Sequence, residues 1–346
     1  MTGQSIKDFE ISAIEIREGV TRQQFDEEIR PAGRPMILKN LVQNWPSVQA
    51  GQSSLSTLAG YLKDLDVGAS TPTFIAAPDV QGRYFYTPDM RRFTYDSRDV
   101  PLRATIDKLL AQQNDPAPIG IYAGASPTGN TMPRFGDANP MPLIDPAVMA
   151  KVWIGNSARI APHFDISENI ACVVSGARRF VVFPPEQIAN LYVGPIDYNM
   201  AGQPASLVDL NAIDFERFPK FREAIKSAFI ADLSPGDAIY LPSLWWHQVE
   251  STGPLNVLVN YWWDGLEHGS PMNVLALALL VLRDLPQNDR AAWESVFKHY
   301  IFDENASEAI DHIPDPFRGV LGQKSADRDA KIKMFLRAQL GQVLGP

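Results

Sequence analysis

Three side chains in this sequence have the types needed for redox metal chemistry. His163 and Asp165 stand two apart in APHFDISENIACVVSGARRFVVFPP, residues 161–185. On a β-strand, residues i and i+2 project to one side. An imidazole and a carboxylate would then point together, with Phe164 turned away. A second imidazole would complete a metal site, and the best candidate is His247 in GDAIYLPSLWWHQVE, residues 236–250. Two imidazoles and a carboxylate on one face of an ion leave the opposite positions open. That arrangement serves non-haem Fe(II) oxygenases, although the residue types also admit zinc or manganese. Chance His-x-Asp pairs are common, and a histidine between Trp246 and Gln248 also reads as a satisfied core residue.

The elements that must hold these residues are mostly strands. After Val152 the chain shows many short strands separated by turn signals, the mark of a sandwich or barrel. A strand holding His163 and Asp165 is followed by a second rich in β-branched residues, a turn at Gly176, and a third closed by Pro184-Pro185. Strands resume at Phe229–Leu233, Ala238–Leu241, Gln248–Glu250 and Leu255–Trp263. Before this region, Thr21 caps a helix through Ile29, Ser54–Leu65 reads as an amphipathic helix, and Pro101 opens a helix to Gln112. Thr73–Ala77 and Arg83–Thr87 read as a strand pair joined through Asp79–Gly82, and Ile119–Ala123 as a buried strand carrying Tyr122. The Pro-, Gly- and Asn-rich run 126–146 reads as a lid, a substrate-facing segment or a mobile connector. Asn190–Ala212 is a long excursion. Beyond Gly269 the pattern becomes helical, with apolar helices at Met272–Leu282 and Asp289–Tyr300.

Composition bounds the rest. The chain has 346 residues, 45% hydrophobic and 21% charged, enough for one large core. A net charge of -9 argues against a general nucleic-acid or anionic-membrane binder. A single cysteine, Cys172, excludes an internal disulfide and fits a reducing compartment. The first residues carry no basic and apolar leader pattern, and the longest apolar run, Val274–Leu282, is too short to span a bilayer. A cytoplasmic protein is the expectation.

Several stretches occur in a telling order: RPMILKNLVQNWPSV near the N-terminus, GARRFVVFPP from Gly176, EQIANLYVGPID, DFERFPKF, SPGDAIYLPSLWWHQVES and NVLVNYWW. Together they resemble the cupin-like Jumonji-C oxygenases, strongly over about 150–265, with the asparaginyl hydroxylase type that inhibits hypoxia-inducible factor as the nearest pattern. The resemblance implies a double-stranded β-helix (jelly-roll) core that uses Fe(II), 2-oxoglutarate and O2. It implies His163, Asp165 and His247 as metal ligands. Asn169 and Asn260 would sit beside the co-substrate, with Arg178 and Tyr122 at its distal carboxylate. Two positions depart from the family pattern. Arg178 stands where the asparaginyl hydroxylase has lysine, and Ile160 where it has a hydroxyl residue. Arg179, facing the other way on a strand, would be a surface partner for an acidic group.

The implied organisation is N-terminal α/β elements packing on the barrel over 1–120, a catalytic core over 121–268 and a helical region over 269–346. By the same resemblance, the C-terminal helices form a homodimer. The implied function is a 2-oxoglutarate-dependent hydroxylase acting on a protein side chain or a small molecule. The alternatives are a non-catalytic cupin-like binding protein, which the changes at Arg178 and Ile160 favour, and a non-redox cupin enzyme. His268, His299 and His312 fit no ligand pattern.

Overall fold

A computed structural model describes residues 3–200, 202–263, 266 and 269–344. Chain contacts divide it into two units, Met1–Gly265 and Leu266–Pro346. The first is a mixed α/β unit dominated by one large sheet. Its strands are β1 (Ser12–Ala13), β2 (Ile16–Glu18), β3 (Met36–Lys39), β4 (Ser70–Ala76), β5 (Arg83–Tyr84), β6 (Tyr95–Pro101) and β7 (Gly120–Pro127), continuing with β8 (Ala150–Gly155), β9 (Ala158–His163), β10 (Glu168–Phe183), β11 (Phe229–Leu233), β12 (Ala238–Leu241) and β13 (Trp246–Trp263).

The spine is the antiparallel ribbon of β10 and β13, which pair from Glu168↔Trp263 to Phe183↔Trp246. The two strands after Asp165 expected from sequence are thus one strand, and so are the two expected around Gly253. Each bends midway, and its halves take different neighbours. β10 pairs first with β12 and then with β11. β13 pairs first with β9 and then with β8.

The bend is a pair of register shifts flanking Val173, Ser175 and Ala177. Slipping a strand by one residue moves every side chain to the other face. Before the bend the odd residues Asn169 and Ala171 face the site, while Ile170, Cys172 and Val174 enter the opposite core. After it the even residues Arg178 and Phe180 face the site. Gly176 sits in the bend at φ +78, and a Cβ there would lie 1.8 Å from Asn256 Oδ1. Only glycine fits.

The segment 1–120 contributes strands to the sheet. β3 pairs with β12, β1 with β11, and β4 with β7. The expected hairpin of Thr73–Ala77 with Arg83–Thr87 does not form. β4 pairs with β6, and the short β5 pairs with β9. A polar run, Tyr95–Pro101, took the partner that sequence assigned to a nearer neighbour. Pro101 is the cap residue before the helix Leu102–Ala111, one position earlier than expected. The helix caps otherwise form as the residue types direct. Thr21 accepts from the Gln24 amide in a reciprocal box, and Ser54 accepts from Thr57.

The second unit contains the helices Pro271–Val281, Gln287–Phe297 and Ala326–Leu344. No helix among the described residues is long and apolar enough to cross a membrane. His299 and His312 are exposed in this unit, and His268 lies outside the described residues.

Candidate metal centre

β9 ends at His163, and Asp165 lies just beyond it, not on the strand as the spacing predicts. The turn delivers the same convergence by other means. Phe164 is buried against Trp246, with ring centroids 4.9 Å apart. The Leu244 amide donates to the Asp165 carbonyl at 2.8 Å, and Ser243 Oγ donates to the Ile166 carbonyl. His247 is the direct cross-strand partner of His163 between β13 and β9. The two rings lie 4.4 Å apart, and His247 Nε2 is 3.7 Å from Asp165 Oδ2. One ligand atom from each of the three residues falls within 4.8 Å of the others, the one such group found among the described residues.

The backbone sets the tautomers. His163 Nδ1 donates to the Ala161 carbonyl at 2.9 Å, and His247 Nδ1 donates to the Trp245 carbonyl at 3.0 Å. A carbonyl only accepts, so each Nδ1 carries the proton and each Nε2 keeps its lone pair for an ion. Burial and the neighbouring His163 push the His247 pKa down to about 4, with Asp165 opposing. The imidazole is therefore held in the neutral form that ligates. Asn169 Nδ2 donates to Asp165 Oδ2 at 3.0 Å, and Asn260 Nδ2 donates to Asn169 Oδ1 at 2.7 Å. This relay fixes the carboxylate from behind. The donor set, two neutral imidazoles and an oriented carboxylate, fits Fe(II) and also other first-row divalent ions.

The three residues open into a cavity of about 120 Å³, lined also by Asn169, Asn260, Arg178, Tyr122 and Ile160. Arg178 is 3% exposed, and its Nε and Nη2 have no hydrogen-bond partner among the described residues. Burial lowers its pKa, and the facing Tyr122 offsets this; burial likewise raises Tyr122, with Arg178 opposing. A guanidinium remains charged under such conditions. Arg179 points outward and forms a two-pronged pair with Asp232 at 2.6 and 2.8 Å. The bend in β10 decides which arginine goes in. Of the tryptophans at 245, 246, 262 and 263, Trp262 lines the cavity. Trp246 packs on Phe164, and Trp263 stacks on Tyr240. Trp245 donates through Nε1 to the Gly33 carbonyl.

Among the contributors to the cavity that sequence reasoning missed are Tyr84, Met200 and Gln203. Nothing local marks them: Tyr84 arrives through pairing with the distant Ile160, and Met200 and Gln203 lie in the irregular excursion. No residue of 126–146 lines the cavity. That segment packs into the core, with Met132, Phe135 and Leu143 fully buried. It is neither a lid nor substrate-facing at this cavity. Cys172 is also fully buried, which pushes its thiol pKa up and leaves it unreactive.

The model of the cupin-like domain family matches residues 22–268. The human bifunctional peptidase and (3S)-lysyl hydroxylase JMJD7 is 26% identical over 245 residues, covering 63% of this chain and 74% of that protein. Human HSPB1-associated protein 1 is 37% identical over 111 residues, covering 32% of this chain and 22% of that protein. The lysine-specific demethylase JMJ31 of Arabidopsis thaliana is 35% identical over 129 residues, covering 37% and 22%. The matched segment thus spans about a fifth of the length of the last two. The resemblance read from the motifs stands at this level, and the narrower likeness to an asparaginyl hydroxylase rests on the motifs alone.

Proposed function

This chain belongs to the cupin-like domain family, and we propose that it is an Fe(II)- and 2-oxoglutarate-dependent oxygenase of the hydroxylase type. The observation that carries the reading is Arg178. It is a buried cation with one guanidinium edge unpartnered, in the same cavity as the three ligand residues. A buried charge whose hydrogen-bonding edge is left open is costly. The unpartnered Nε and Nη2 present the fork that receives a carboxylate in two parallel hydrogen bonds. A metal site at one place and a carboxylate receptor at another suit a 2-oxo dicarboxylic acid.

In this reading His163 Nε2, the Asp165 carboxylate and His247 Nε2 hold Fe(II). Arg178 and the Tyr122 hydroxyl hold the distal carboxylate of 2-oxoglutarate. Asn169 orients Asp165, and Asn260 orients Asn169 while offering its unpartnered Oδ1 to the cavity. Trp153 and Trp262 wall the cavity against water. When bound, iron with 2-oxoglutarate and O2 supplies the oxidising chemistry, with succinate and CO2 as co-products. Lysyl hydroxylation and lysine demethylation are the relatives' named activities. For this chain the proposed target is a protein side chain or a small molecule, and the asparaginyl-type motifs extend the candidates to amide side chains.

Two further parts of the proposal concern assembly and place. The second unit exposes Val274, Leu280, Trp293, Ile301, Phe302 and Phe335. Apolar helix faces of this extent favour a homodimer through the C-terminal helices. Comparing solution mass before and after truncation at Gly269 tests it. The single buried cysteine supports a reducing, cytoplasmic setting.

The test is succinate release from 2-oxoglutarate by protein loaded anaerobically with Fe(II) and then exposed to O2, with His163→Ala as control. Turnover abolished by that substitution supports the reading. Bound iron with no turnover of any 2-oxo acid would replace it with the binding-protein reading that the Ile160 position favours.

A further inference from the structure

The asparaginyl-hydroxylase pattern that the motifs resemble has a hydroxyl residue at position 160, and this chain has isoleucine. We propose that the missing donor comes from the next strand: Tyr84 Oη, with Trp153 Nε1, completes the receptor for the distal carboxylate of the co-substrate. The inference rests on the functional reading above and deepens it.

Register is the first argument. Tyr84 of β5 is the direct parallel partner of Ile160 of β9. Directly paired residues project to one side of the sheet, so the phenol stands beside the isoleucine, and both line the cavity. The second argument is polar satisfaction. Tyr84 Oη and Trp153 Nε1 are buried and unpartnered, as are Arg178 Nε and Nη2. Orphaned buried donors are rare in folded chains, and here the side chains that carry these four, together with Trp262 and its unpartnered Nε1, line one cavity. Burial raises the Tyr84 pKa, so the phenol stays protonated and remains a donor. The third argument is space. A Cβ on Gly120 would lie 2.9 Å from the Tyr84 hydroxyl, so the glycine leaves room for it. Gly120 and Tyr122 share a face of β7, and the Tyr122 ring is 5.6 Å from Tyr84 and 5.4 Å from Trp153. The putting-together of Arg178, Tyr122, Tyr84 and Trp153 offers donors enough for all the lone pairs of one carboxylate.

The consequence is selectivity. A site built from buried donors rejects a ligand that leaves them unpaired. The chain should bind 2-oxoglutarate and discriminate strongly against 2-oxobutyrate, which lacks the distal carboxylate.

The test is calorimetric titration of both acids into Mn(II)-loaded protein, where no turnover intervenes. Tyr84→Phe should weaken 2-oxoglutarate binding about ten-fold and leave 2-oxobutyrate binding unchanged. Ile160→Thr should restore much of the loss in the Tyr84→Phe background by placing a hydroxyl at position 160. Trp153→Phe should act in the same direction as Tyr84→Phe. Wild-type affinity for 2-oxoglutarate in Tyr84→Phe overturns the proposal while the oxygenase reading survives. Failure of wild-type, Mn(II)-loaded protein to bind 2-oxoglutarate overturns both.

Discussion

Two irregular segments of similar length, 126–146 and 190–212, serve opposite purposes. The first is a structural plug. Phe135 packs edge-on against Trp45 at 6.0 Å, and Trp45 Nε1 donates to the Pro140 carbonyl at 2.8 Å. Asn139, fully buried, accepts from the Ser47 amide and donates to the Tyr61 hydroxyl. The second is anchored at its ends and half-exposed at its tip. Ala205 bridges to His163, and the Ser206 amide donates to the Pro162 carbonyl at 2.7 Å. At the tip, Tyr198 stacks on Phe93 at 5.0 Å and donates to the Arg91 carbonyl, while Met200 and Gln203 line the cavity. Both are poor in regular structure, so backbone irregularity does not mark a functional loop. Where the apolar side chains go is what separates them.

Four measurements would break or sharpen this contrast. The largest effect is expected for Phe135→Ala, which opens a cavity in the core and should cost ~3–5 kcal/mol in chemical denaturation. Ligand affinity at the metal site should barely change; a large loss of affinity would join the plug to the site after all.

Acid should act on the other segment. The His247 pKa is depressed from 6.5 to about 4 in the folded metal-free protein. Between those values the unfolded chain takes up a proton that the folded chain refuses. Stability is therefore full above pH 6.5 and falls as pH is lowered toward 4, by on the order of 2–3 kcal/mol. Thermal melts across that window should show the loss, and His247→Leu should flatten it. Hydrogen exchange should rise at 205–210 before it rises at 126–146, because Ala205 pairs beside the histidines.

Tyr198→Phe deletes one hydrogen bond to backbone at the tip and should cost about 1 kcal/mol. Its larger consequence should be a raised KM for the primary substrate with kcat little changed. The smallest stability effect belongs to Gln203→Ala, within about 0.5 kcal/mol, yet ligand binding should respond because Gln203 Oε1 is an unpartnered acceptor in the cavity. A silent Gln203→Ala in both assays would remove the tip from the site.

Much of the site was legible in the chain, for physical reasons. Ligand chemistry is carried by residue type, so His163, Asp165 and His247 stand out in the sequence. The alternation of a strand separated Arg178 from Arg179, and the glycine at 176 marked the bend. The hairpin assigned to Thr73–Ala77 and Arg83–Thr87 failed because pairing was judged by nearness along the chain. The packing of 126–146 is not legible in the chain because its buried residues, among them Met132, Phe135, Asn139 and Leu143, follow no period.

The sequence by itself determined the ligand residue types, the caps at Thr21 and Ser54, and the glycine at the bend, since each depends on local covalent structure. Only the tertiary structure decided that Asp165 reaches the site from a turn, that Tyr84 lies beside Ile160, and that 190–212 rather than 126–146 meets the cavity. Those outcomes depend on strand register and on pairing between distant segments, which the cooperative packing of the whole sheet selects.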